Sequence, residues 1–176
     1  GNSFIKLLEK EMKESVQDVF NYSGTYLSYS LSSSTDSLKI EPYMICASEN
    51  SEYVKMGMIN AYKSVHSGRG IISNHHNSYL MFNERDLPQF ALVTIYLQLP
   101  HYEFPTMLKG LYLCLDYNHN PIARRIVLVK QSDSTDIRTF LEMESKLVPK
   151  AELTPELEAY YNYPCREGDY IKTRTV

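Results

Sequence analysis

Between Gln89 and Lys130 three strand-like segments follow one another with almost nothing between them, and no other feature constrains the fold as strongly. Ala91–Leu99 alternates, with Val93, Ile95, Leu97 and Leu99 on one face and Thr94, Tyr96 and Gln98 on the other. Gly110–Asp116 repeats the pattern, setting Leu111, Leu113 and Leu115 against Tyr112 and Cys114. Tyr117–Asn120 then turns the chain into Pro121–Lys130. Successive side chains of a strand point to opposite faces, so this alternation predicts antiparallel strands with one apolar face each. The aliphatic rows are expected to form the core. The other face is aromatic and semi-polar, and a curved sheet with two useful faces can enclose a ligand.

The preceding chain reads as further short strands. Gly24–Leu31 alternates, and Ser32–Ser37 is a polar turn cluster. Leu38–Cys46 contains Pro42, which lacks an N–H and is expected on an edge or bulged strand. Tyr53–Tyr62, Ile71–Ile72 and Ser78–Phe82 follow; Ser67–Gly70 is expected to be a turn whose glycines supply positive φ. About eight short strands without a long intervening helix predict a mainly β (α+β) chain. Its expected centre is an antiparallel meander, barrel-like or strongly curved, with a sandwich as runner-up.

Helices are expected to flank this sheet. Phe4, Ile5, Leu8, Met12, Val16, Val19 and Phe20 form an apolar stripe at three- and four-residue steps. That helix either packs on the domain or serves as a linker or dimerisation helix, making the chain a homo-oligomer. A second helix is read over Asp136–Leu147, and Thr154 before Pro155 is an N-cap that starts a third, ending near Tyr161. Tyr163–Val176 reads as an arm. The expected organisation is an amphipathic helix over 1–21, a β domain over 22–131 and a helical segment with tail over 132–176.

Composition narrows the function classes. The net charge of −3 supplies no broad cationic field for a phosphate backbone. Three widely spaced cysteines, Cys46, Cys114 and Cys165, read as free thiols in a reducing, cytoplasmic setting. No apolar run approaches the roughly 20 residues that span a bilayer, and no signal peptide is visible. The chain starts at Gly1 rather than Met, as a piece of a longer protein would.

Motifs for chemistry are missing. His75 and His76 are adjacent, so on a strand they would point apart, and neither they, His101 nor His119 has a ligand at metal-site spacing. Gly-x-Ser-x-Gly is absent, and Gly68-Arg69-Gly70 extends to no phosphate-binding fingerprint. Glu84 and Asp86 flank Arg85 in what reads as a solvated turn. No metal, cofactor or catalytic activity is therefore expected. The remaining option is a pocket inside the barrel, lined by Tyr26, Tyr96, Tyr112, Cys114, Arg124 and Arg125. An arginine among tyrosines would suit an anionic or carboxylate-bearing ligand. Against the pocket stands an arrangement with the tyrosines under the terminal helices and the arginines facing solvent. The alternative functions are a protein-interaction module without ligand, using the exposed stripe of the Phe4–Phe20 helix, and a barrel for single-stranded nucleic acid.

Phe20, Gly24, Tyr26, Tyr29 and Ser30, read with Leu108–Leu115 and Pro121–Leu128, carry a weak resemblance. The pattern resembles the β-rich domain that follows the helix-turn-helix in some bacterial transcriptional regulators. It implies a non-catalytic sensor or oligomerisation domain, with DNA contacted by a separate module rather than by this segment.

Overall fold

The computed structural model describes residues 2–32, 35–100 and 104–162. Helix α1 (Ser3–Glu14) leads through two 3₁₀ turns, Ser15–Gln17 and Val19–Tyr22, into the sheet. Strands β1 (Gly24–Leu31), β2 (Ser37–Ala47), β3 (Val54–Ile59) and β4 (Val65–Ser73) follow. Next come β5 (Asn77–Asn83), β6 (Leu92–Gln98), β7 (Met107–Leu115) and β8 (Pro121–Ser132). Each pairs antiparallel with the next, and β8 pairs back on β1, closing an eight-stranded up-and-down barrel. Closure leaves these strands without a free edge. Helix α2 (Ile137–Leu141), strand β9 (Lys146–Pro149) and helix α3 (Pro155–Tyr161) then run over the outside.

Register decides which face is inside. Ile95 stands opposite both Leu80 and Tyr112, and Tyr112 stands opposite Arg124, so these four share the inner face. Val93, Ile95, Leu97 and Leu99 are core, as their alternation predicts. On β7 the expectation is reversed: Leu108, Gly110, Tyr112 and Cys114 face inward, while Leu111, Leu113 and Leu115 lie outside, with Leu113 48% exposed.

One barrel end is plugged by the N-terminal segment. Val19 and Tyr22 join the core cluster, Val16 packs against it, and the Tyr26 hydroxyl donates to the Tyr22 carbonyl at 2.6 Å. Ser15, 1% exposed, fastens the plug by accepting the Ile72 N–H at 2.8 Å on Oγ. Ser15→Ala leaves that buried N–H without its acceptor and is expected to cost about 1–3 kcal/mol, read from the denaturant midpoint.

Other expectations are refined. Pro42 lies in a barrel strand with neighbours on both sides, but residues 41 and 42 pair with neither β3 nor β9; this ladder break tolerates a residue without an N–H. Gly68 and Gly70 are not a turn: both lie inside β4, and neither has positive φ. A Cβ on Gly68 would stand 1.9 Å from the Met81 carbonyl oxygen, so close approach is what requires glycine there.

The predicted helix over Asp136–Leu147 is shorter. It ends at Leu141, where Phe140 packs on Met44, Cys46 and Ile59 outside the barrel, and Lys146–Pro149 instead pairs with the first half of β2. Thr154 caps α3 as expected, accepting the Leu157 N–H at 3.3 Å. The Tyr163–Val176 arm, Cys165 and His101 lie outside the described residues.

Candidate functional site

The end opposite the plug opens to solvent between the β1–β2, β3–β4 and β7–β8 turns and the β5–β6 loop. Large apolar side chains stand exposed on its rim: Tyr62 on one turn, Leu87 and Phe90 on the loop, and Tyr117 on another turn. Inside lies a cavity of about 170 Å³. Its floor is apolar, built from Tyr43, Met58, Phe82, Val93 and Ile126, and its upper wall is polar. Period-two alternation produces this wall directly. Lys39 and Glu41 share parity with the core residues Tyr43 and Ile45, so the strand that buries the latter must carry the charges inward as well.

The polar groups form a linked set. Lys39 Nζ lies 3.8 Å from Glu41 Oε1 and 4.9 Å from the centroid of the Tyr112 ring. Glu41 Oε2 accepts the Ala61 N–H at 2.9 Å, and the Tyr112 hydroxyl donates to the Leu31 carbonyl at 3.3 Å. The Asn60 amide nitrogen stands 3.4 Å from His66 Nε2. Ser30 Oγ, on a residue only 3% exposed, lines the cavity with no hydrogen-bond partner among the described residues. The half-buried Glu84 carboxylate likewise forms no salt bridge or side-chain hydrogen bond among them.

Burial and neighbours set the protonation states. Burial opposes charge on Lys39, but the Glu41 carboxylate and Tyr112 outweigh it, and the ammonium holds its proton more tightly than an ordinary lysine. Burial, reinforced by Glu41, raises Tyr43 well above the usual phenol value. Cys114 is pushed up to about 11 by burial despite the opposing pull of Lys39, so it is a protonated thiol and a poor nucleophile at neutral pH. Burial raises Glu84 as well, against the pull of Arg85, Lys39 and His66.

A raised carboxyl pKa means that the fold favours the neutral form, so ionised Glu84 weakens the fold above its unfolded value of 4.5. Glu84→Gln is therefore expected to raise the melting midpoint near neutral pH by a few degrees at most, roughly what 1 kcal/mol does in a domain of this size. The gain should vanish below pH 4.5, where the native carboxyl is protonated in both states. Thermal denaturation at the two pH values measures it.

The six residues expected to line a pocket are divided by the barrel wall. Tyr112 and Cys114 line the cavity, and Arg124, 5% exposed, is inward-facing opposite Tyr112. Tyr26 is inward but deep at the plugged end, fully buried. Tyr96 and Arg125 lie outside the barrel and do not line this cavity. Tyr96 is outside and 53% exposed, edge-on to Tyr79 at 4.8 Å, because it stands opposite the outward Leu111. Arg125 stands opposite the same Leu111 and donates from Nη2 to the Tyr161 carbonyl at the end of α3. Sequence reading overlooked Lys39, Glu41 and His66 and placed Glu84 in a solvated turn. The available signal was charge at inward parity in an otherwise apolar strand.

Among the described residues no three His, Cys, Asp or Glu side chains come together as a metal-holding cluster. No helix among them is long and apolar enough to cross a membrane. Fold and site together define a closed antiparallel barrel, plugged at one end and open at the other onto a small, mixed-polarity cavity. No protein-family model matches the chain, and neither curated proteins nor solved structures provide a significant match.

Proposed function

We propose that this chain is a non-catalytic module that binds a small ligand in the barrel mouth. In this reading it is the sensory or regulatory part of a larger cytoplasmic bacterial transcriptional regulator. The observation that carries the ligand reading is the half-filled mouth. An eight-stranded barrel is just wide enough to be filled by side chains or to hold one small ligand. Here the apolar floor stops short, and a cavity of about 170 Å³ is left beneath an inward-facing Lys39–Glu41 pair and a Ser30 hydroxyl that has no partner among the described residues. A purely structural core would be expected to fill such space with apolar atoms, because a buried polar group without a partner costs free energy.

Cys114, kept a thiol by burial and so a poor nucleophile, supports a binding role over a catalytic one. The regulator context rests on the sequence resemblance alone. Amide chemical-shift mapping with a fragment library tests the ligand reading. Fragments that shift Tyr43, Phe82, Val93 and Tyr112 together support it; a library that leaves those four unmoved overturns it.

A homo-oligomer is a compatible second reading. Phe4, Ile5 and Leu7 of α1 are exposed, and α1 buries none of its residues in one chain. Light scattering decides it: a concentration-independent monomer removes the oligomer.

A further inference from the structure

The polar wall of the mouth is unbalanced, and the imbalance identifies the ligand. Lys39, the cation lining the cavity, is occupied, held by Glu41 at 3.8 Å and set over the Tyr112 ring. Glu41 in turn accepts the Ala61 N–H. Glu84 is a second carboxylate in the lining and forms no salt bridge among the described residues, and the Ser30 hydroxyl beside it in the lining has no hydrogen-bond partner among them. A ligand that brings N–H donors satisfies both, and a lining with two carboxylates against one lysine favours a donor that carries positive charge. Below lie Phe82, Val93 and Ile126, which offer an apolar bed. The cavity of about 170 Å³ is close to the roughly 150 Å³ apolar cavity known to take one benzene ring.

We propose that the mouth takes a small monoamine, with one ring or short aliphatic chain in the apolar floor and a protonated primary amine between Glu84 and Ser30. This is the reverse of the anionic ligand expected from the arginine pair, since Arg125 is outside the barrel and the inward Arg124 is not among the cavity-lining residues. The inference rests on the mouth being a ligand pocket and adds the charge and size of its occupant.

Three probes of matched shape separate the claims: phenethylamine, phenethyl alcohol and phenylacetate, titrated calorimetrically into the full chain and into Glu84→Gln. The amine should bind the wild-type chain about tenfold or more tightly than the alcohol, as a charge-assisted hydrogen bond implies, with phenylacetate weakest. Glu84→Gln should bring the amine down to the alcohol's affinity and leave the alcohol unchanged. That variant is expected to fold at least as stably as the wild type, so lost amine binding reads as lost recognition.

Alcohol binding as tight as amine binding overturns the monoamine and leaves the ligand pocket standing. So does tightest binding by phenylacetate, or an amine preference that survives Glu84→Gln. Failure of all three probes also overturns the monoamine, and the pocket then stands or falls with the fragment mapping.

Discussion

Gly110→Ala is expected to destabilise the barrel by about 3 kcal/mol or more, a large share of the 5–15 kcal/mol that holds an ordinary domain together. A Cβ at this position would stand 1.7 Å from the Tyr96 carbonyl oxygen and 3.0 Å from Leu97 Cα. Both are backbone atoms of β6, directly across from Gly110, so relief requires β6 and β7 to separate. The unlike outcome at Gly70 is the control. There the nearest atoms are Val54 Cγ1 at 3.0 Å and Leu80 Cδ2 at 3.1 Å, methyl groups that can give by a few tenths of an ångström. Gly70→Ala is accordingly expected to cost no more than about 1 kcal/mol. Denaturant midpoints of the two variants measured side by side check the difference. A Gly110→Ala protein as stable as Gly70→Ala would mean that the two strands do not approach this closely.

Those glycines also show what a single sequence conceals. Gly68 and Gly70 invite a turn because glycine's commonest special use is positive φ, yet both lie within a strand, and Gly68, like Gly110, serves close approach there. The strands themselves were legible, because alternation is local: Gly24–Leu31 has the predicted bounds, and the chain does form an antiparallel barrel. What alternation cannot supply is the sign of each face. Tyr112 and Leu111 alternate whichever is inside, and only the pairing of Tyr112 with Ile95 resolves it. That pairing depends on the loop between β6 and β7, about which the residue pattern says nothing.

Arg124 and Arg125 are neighbours on one strand, so alternation itself puts them on opposite faces, and Tyr96 is outside because β6 buries its aliphatic row as expected. Lys39 and Glu41 were hidden for a different reason. Charged residues on a strand ordinarily mark its solvent face, and here they mark the inner wall of an open mouth.

Breaking that inner-wall pair from one side is the other large effect. Lys39→Met leaves the Glu41 carboxylate, 7% exposed, with the Ala61 N–H but without its cation. Removing one partner of a buried ion pair costs roughly 3–5 kcal/mol, and the 23% exposure of the Lys39 side chain argues for less, about 2–3 kcal/mol. Lys39→Met/Glu41→Gln removes both charges, and the new amide oxygen can still accept the Ala61 N–H. Such replacements are often neutral, so the double variant should recover most of the loss and the two substitutions should be far from additive. Chemical denaturation of the two single variants and the double variant closes the cycle; additive losses would mean that the ammonium and carboxylate do not act as a pair. A double variant that folds as well as the wild type also has a functional consequence. The fold would then not need these charges, and removing them would leave the mouth free for binding measurements without its ion pair.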